Sequence, residues 1–136
     1  MTFPLLIITP QRKVYDGPVT LLNVVTTGGQ LGILAKHTPL ISIIQTGPLH
    51  LIVDDQTIYY AASGGVLSVQ RDRTVLLLDA IEKAEDIDIS RAKEAMKRAE
   101  ERLKEKLDKI DEARAKASLS RALNRIQVAE SYQRKD

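Results

Sequence analysis

Glu82-Lys83-Ala84-Glu85-Asp86-Ile87-Asp88-Ile89-Ser90-Arg91-Ala92 divides the chain into two kinds of polymer. Every glycine and every proline lies before it, the last being Gly65, and nothing after it through Asp136 breaks a helix. Asp88 is suited to accept from the free N–H groups that open a helix, and its charge suits the positive end of the helix dipole. The stretch therefore reads as the junction between a strand-rich domain, residues 1–84, and a helical one, residues 85–136.

Upstream, Phe3–Thr9 is a short apolar run closed by Pro10 and reads as a strand, buried or at an edge. Val19–Thr26 is rich in β-branched residues and stands between two turn signals, Asp16-Gly17-Pro18 and Thr27-Gly28-Gly29. Leu31–Leu34 continues as a brief strand, and Lys36-His37-Thr38-Pro39 reads as a loop. Asp54-Asp55-Gln56 and Arg71-Asp72-Arg73 are each flanked by apolar, β-prone runs, the pattern of two hairpins. Short strands at this spacing predict an antiparallel β-sandwich.

Downstream the period changes. Ile89, Ala92, Met96, Ala99, Leu103 and Leu107 recur every three or four residues, and Ala115, Leu119, Ala122, Ile126 and Ala129 repeat the pattern. Asp108–Glu112 is the expected turn of an antiparallel α-helical hairpin. With no Gly or Pro to fix it, one continuous helix from Asp88 to Tyr132 is the other reading. The alanines would let two helices approach closely, but neither helix has large enough apolar residues for a core of its own.

Formal charge is +2 over 136 residues, so the total favours neither nucleic acid nor a membrane surface. Ala113–Ala129 nevertheless carries Arg114, Lys116, Arg121 and Arg125 with no acid. Cysteine is absent, and the redox compartment is left open. Met1 leads straight into an apolar strand without the basic segment of a signal peptide, and no apolar run approaches a membrane span. The chain reads as soluble, with membrane association through a partner.

Arg121 and Arg125 share a helix face, as do Arg91 and Arg98. A hairpin folding back near Lys109 would set Arg98 level with about Ser120 and Arg91 with about Gln127. Four guanidinium groups so grouped suit a polyanion. The plainer reading is a solvated face with Glu94 paired to Arg98. His37 and His50 lack metal-spaced partners, and Ser63-Gly64-Gly65 lacks the flanks of a nucleophile elbow. Gly28-Gly29-Gln30-Leu31-Gly32 lacks the ending of a phosphate loop, and Asp54-Asp55 reads as a turn. No catalytic set is assembled, and no metal site. A nucleic-acid module using the basic second helix is the alternative, weakened by the lack of aromatic stacking residues beside the arginines.

Thr9-Pro10 with Val14-Tyr15, Gly29-Gln30-Leu31-Gly32-Ile33-Leu34 with His37-Thr38-Pro39-Leu40, Ser63-Gly64-Gly65, and Ala84-Glu85-Asp86-Ile87-Asp88 occur in one order along the chain. In this the sequence resembles the epsilon subunit of the rotary F-type ATP synthase. The resemblance implies a sandwich of two five-stranded sheets followed by a helical hairpin. It implies a non-catalytic central-stalk subunit, with the sandwich docked on the gamma subunit and on the ring of c subunits. Gly29, Gln30, Leu31 and His37 would face that ring, on the cytoplasmic side of a bacterial plasma membrane.

In bacterial members of that family the packed hairpin permits ATP hydrolysis, and the extended hairpin blocks it among the alpha and beta subunits. The basic residues Arg114, Lys116, Arg121 and Arg125 would then meet acidic surface on beta. Some members bind ATP as a regulatory ligand through Ile-Asp-x-x-Arg-Ala, which stands here as Ile87, Asp88, Arg91 and Ala92. Glu82, Arg98, Arg121 and Arg125 match the further positions of that site. Ile87 and Ala92 would pack on the base or ribose, Glu82 would make a polar contact, and Asp88 would cap the helix and hold Arg91. Arginine neutralises phosphate directly, so no metal is required.

Overall fold

The computed structural model describes residues 1–134 and the side chains through Tyr132; the last two positions of the expected second domain lie outside it. The chain divides into two compact units, Met1–Lys83 and a second beginning at Ala84.

The first unit has ten strands: β1 Phe3–Ile8, β2 Lys13–Val19, β3 Leu21–Thr26, β4 Gly29–Ile33, β5 Leu40–Ile44, β6 Gly47–Val53, β7 Gln56–Ala62, β8 Gly65–Val69, β9 Thr74–Leu78 and β10 Ile81–Lys83. Two five-strand arrays result, β10-β7-β6-β3-β4 and β5-β8-β9-β1-β2. They are not separate sheets, which refines the expected count. Thr26 pairs with Ile44, and the Thr27 and Gln45 amides donate to Ile43 and Val25 at 3.2 and 2.9 Å. The ladder is thus continuous through ten strands, and it is antiparallel except where β1 runs parallel to β9.

Strand periodicity supplies the core. Alternate residues of β1 (Phe3, Leu5, Ile7) and β3 (Leu22, Val24) are buried, as are Leu49 and Leu51 of β6, Leu67 of β8 and Leu76 of β9. Asp54 and Asp55 both hold left-handed backbone, φ 50° and 65°, as the tight turn between β6 and β7 requires. One expected turn is absent. Asp16-Gly17-Pro18 lies within β2, paired with Leu6, Leu5 and Pro4. Proline is tolerated there because β2 ends the ladder and its outer side needs no donor.

β5 carries no period-two signal because both its faces are apolar. Ile44 is buried, while Ile41 and Ile43 are 79% and 60% exposed. Ile43 lies opposite Val66, and Val66 opposite Leu77. Together with Ile41 these residues form an exposed apolar row across β5, β8 and β9.

In the second unit a single 3-10 turn, Ala84–Asp86, leads to α1, Ile89–Leu103, and α2, Lys109–Arg134. Asp88 caps α1 as expected, its Oδ1 accepting from the Arg91 N–H at 3.1 Å. The turn, however, lies at Lys104–Asp108, before the expected Asp108–Glu112. Asp108 is the cap of α2, accepting from the Asp111 N–H at 2.8 Å, so a residue read as turn opener is the last residue of the turn.

Gly65 opens β8, and a Cβ built there would overlap the Leu77 carbonyl and crowd the Leu78 Cα. Gly65→Ala must push β9 off its register and is expected to lower the sandwich's unfolding free energy by about 2 kcal/mol or more. Urea denaturation followed by strand signal checks this, and an unmoved midpoint contradicts it.

Candidate functional site: an arginine-lined groove in the helical unit

α1 and α2 run antiparallel, and the small residues set how closely they lie. Ala92 and Ala99 on α1, and Ala115 and Ala122 on α2, are buried and spaced seven apart on each helix. Near the turn, beside this alanine seam, lies a groove of about 410 Å³ lined by Ala95, Arg98, Ala99, Arg102, Asp111, Arg114, Ala115 and Ser118. Its volume lies in the range of small-molecule sites, about 300–1,000 Å³.

These facing residues fix the register. Because the turn comes earlier than expected, Arg98 lies level with about Ala115 and Arg91 with about Ala122. The expected pairing of Arg98 with Ser120 and Arg91 with Gln127 is therefore corrected. Arg91 and Arg121 stand nearly level, while Arg98 falls about 10 Å nearer the turn at 1.5 Å per residue.

The common face survives the correction. Arg91, Ala95, Arg98 and Arg102 follow one another at intervals of three or four on α1; so do Arg114, Ser118, Arg121 and Arg125 on α2. Arg98, Arg102 and Arg114 line the groove, and Arg91, Arg121 and Arg125 continue the two rows beyond it. Sequence reasoning missed Arg102 altogether and assigned Arg114 to a contact with beta, not to this groove. The signal that could have found them was the same three-and-four spacing, once the turn was placed at Lys104.

Several of these basic side chains pair at the surface. Arg102 pairs with Glu105 at 2.9 Å, Arg114 with Asp111 at 3.9 Å, and Lys116 with Glu112 at 2.9 Å. Such exposed pairs are worth about 0–1 kcal/mol each, too little to hold an arginine from a phosphate. Arg121 donates to Ser118 Oγ at 3.2 Å. Among the described residues Glu94 makes no ion pair with Arg98. Arg91, Arg98 and Arg121 are exposed, and Arg125 is half-buried.

The remaining candidates are differently placed. Asp88 is exposed and capping, Ile87 is 8% exposed and Ala92 fully buried. The last two are packing residues in this arrangement, one at the entrance to α1 and one on the seam. Glu82 belongs to β10 of the first unit. Tyr132 ties the end of α2 back to the start of the unit, its hydroxyl donating to Glu85 Oε2 at 3.5 Å.

In the first unit, Gly29, Gln30 and Leu31 lie on β4. His37 lies beyond the other end of that strand, in the loop that leads to β5. Its Nδ1 donates to the Thr38 carbonyl at 2.7 Å, beside a 40 Å³ recess bordered by Lys36, Arg71 and Arg73. No metal-binding group of three or more His, Cys, Asp or Glu side chains occurs among the described residues. No helix among them is long and apolar enough to cross a membrane.

Residues 2–84 match the family model for the beta-sandwich domain of the ATP synthase delta/epsilon chain, and residues 85–130 match its long alpha-helix domain. The chain is 45% identical over 133 residues to the ATP synthase epsilon chain of Caldanaerobacter subterraneus subsp. tengcongensis, covering 97% of this chain and 96% of that one. It is 45% identical over 129 residues to the epsilon chain of Bacillus thuringiensis, covering 95% and 97%. In fold it resembles a chain of the Euglena gracilis mitochondrial ATP synthase, with TM-score 0.77, 19% identity and coverage of 88% and 76%. It also resembles a chain of the Tetrahymena thermophila central stalk and c-ring, with TM-score 0.72, 12% identity and coverage of 95% and 97%. Matched in both halves and along nearly its whole length, the chain belongs to the ATP synthase epsilon-chain family.

Proposed function

We propose that this chain is a non-catalytic rotor subunit whose sandwich joins the gamma subunit to the c-ring and whose helices form a brake on ATP hydrolysis released by bound ATP. The observation that carries the reading is the arginine-lined groove between two helices joined by a turn that any backbone can straighten. Among the described residues, left-handed backbone outside glycine occurs only at Lys36, Asp54 and Asp55. Lys104–Asp108 contains none, nor any glycine or proline. Continuing α1 into α2 therefore requires no φ to change sign.

Each buried alanine methyl contributes only about 0.8 kcal/mol to the closed hairpin. The Asp108 cap adds about 1 kcal/mol to the interrupted form, while a straight helix regains the backbone bonds lost at the turn. A ligand confined to the closed form contributes RT ln(1 + [L]/Kd), about 2.7 kcal/mol at a hundredfold excess over Kd. That is enough to invert a two-state equilibrium that starts about 1 kcal/mol the other way.

ATP suits the groove as a triphosphate facing two rows of guanidinium. Arg91, Arg121 and Arg125 take one end, and Arg98, with Arg102 and Arg114, takes the end near the turn. Asp88 holds the first turn of α1 and with it Arg91. Ile87 and Ala92 support the site as packing residues of the same unit. Arginine alone balances the phosphate charge, without a metal. Each charge-assisted bond contributes about 1.5–3 kcal/mol, so Arg91→Ala and Arg125→Ala should each weaken ATP binding by about tenfold or more with the fold retained. Calorimetry on the subunit checks this, and unchanged affinity in both variants refutes the groove as the nucleotide site.

Opened, the second helix offers Arg114, Lys116, Arg121 and Arg125 to acidic surface of the catalytic beta subunits, with alpha alongside. Replacing all four by Ala should relieve inhibition of hydrolysis and flatten its salt dependence, since screening over about 8–10 Å acts on such contacts. Hydrolysis rates of the assembled enzyme at low and high salt decide it; undiminished inhibition at both contradicts the electrostatic account.

The exposed row Ile41, Ile43, Val66 and Leu77 is the kind of apolar patch that marks a protein interface and serves as the gamma-docking face. Gly29, Gln30, Leu31 and His37 face the c-ring along an edge strand and its following loop. This sets the subunit at the cytoplasmic face of a bacterial plasma membrane, held there through the complex.

A further inference from the structure

We infer that Glu85 and Tyr132 form a clasp that sets how readily the helical unit opens and so positions the arginines of α2 for a ligand; this rests on the switch reading above and names a control on it. Both residues belong to the second unit and stand at its two ends. The Tyr132 hydroxyl donates to Glu85 Oε2 at 3.5 Å across 47 positions of sequence. It closes the hairpin at the end away from the Lys104–Asp108 turn. The 3-10 turn that carries Glu85 lies against α2, and Ala84 and Ile87 beside it are buried.

Electrostatics gives a second, independent argument. α2 runs to Arg134, so its last turn presents the negative end of the helix dipole, where a carboxylate is disfavoured. Glu85 is nevertheless held there, and a phenol of that same turn is aimed at it. A hydroxyl donating to a carboxylate offsets the repulsion. Without Tyr132 the acid would push the end of α2 away.

The clasp cannot survive opening. With α2 continuing α1 as one helix, Tyr132 would stand about 65 Å from Ile89 at 1.5 Å per residue, far from any contact with Glu85. Its contribution therefore belongs to the closed form alone, as a bound ligand's does. Neither residue lines the groove. They act by position, since Arg125 lies two turns before Tyr132 on α2, and a held helix end keeps Arg121 and Arg125 beside α1.

Two conservative variants of the full-length subunit test this. Tyr132→Phe keeps the ring and removes the donor, while Glu85→Gln keeps an acceptor and removes the charge. Without ATP, Tyr132→Phe should raise the open-to-closed ratio by about threefold, the effect of one modest hydrogen bond. Glu85→Gln should raise it less. Pulsed dipolar spectra between labels on α1 and α2 read the ratio. The double variant should open no further than Tyr132→Phe, because both changes break one bond. Saturating ATP should return every variant to the closed distance, which a misfolded chain would not do. An ATP-free ratio that Tyr132→Phe leaves unmoved overturns the clasp and leaves the switch standing. Effects that add in the double variant reveal two unrelated contacts and overturn it as well. ATP that closes neither the parent chain nor the variants overturns the switch, and with it the positioning role.

Discussion

Everything in the helical unit depends on a seam made of alanine. Ala92 and Ala99 face α2, and Ala115 and Ala122 face α1, all buried. Methyl groups let two helices lie close, which brings Arg98, Arg102 and Arg114 to the borders of one groove. The same methyls contribute little burial. A seam of leucines would hold the hairpin shut whatever was bound, and larger side chains would fill the groove. Weak packing and a crowded row of like charges are thus one design feature seen from two sides. In the proposed role, contacts this modest leave the closed form within reach of a ligand's binding energy.

The sandwich is built to the opposite rule. Leu5, Ile7, Leu22, Ile33, Leu51, Leu67 and Leu76 are at most 1% exposed, and the ladder is continuous through β3 and β5. Burying a side chain of this size contributes about 1.5–3 kcal/mol each, so local opening here is costly. A subunit that must keep its place while part of it rearranges needs that contrast. In the proposed role the rigid unit presents an apolar face, and the marginal unit responds to ligand.

How much of this was legible in the sequence varied with the physical signal. The junction at Glu82–Ala92 was plain because composition changes there, and the Asp88 cap followed from residue type and position. β5 was hidden because Ile41 and Ile43 are apolar on the outward side, which erases alternation. β2 was hidden because Asp16-Gly17-Pro18 is turn chemistry that an edge strand tolerates. The arginine face was legible from spacing, but its register was not. Two aspartates, Asp108 and Asp111, stand near the reversal, and only the hydrogen bond from the Asp111 N–H to Asp108 reveals which is the cap. That four-residue displacement moved Arg98 away from Arg121 and brought Arg102 and Arg114 into the groove.

The central claim is that ATP decides whether residues 104–108 turn or continue as helix. Spin labels at Lys93 and Ser120, both exposed, report this within the helical unit alone. Closed, the two sites stand nearly level on helices about 8–10 Å apart; straightened, they are separated by about 40 Å at 1.5 Å per residue. Pulsed dipolar spectroscopy on the subunit, with and without ATP, should find a short population that grows at the expense of a long one as ATP saturates. A distance distribution that ATP leaves unmoved while calorimetry registers binding would contradict the account.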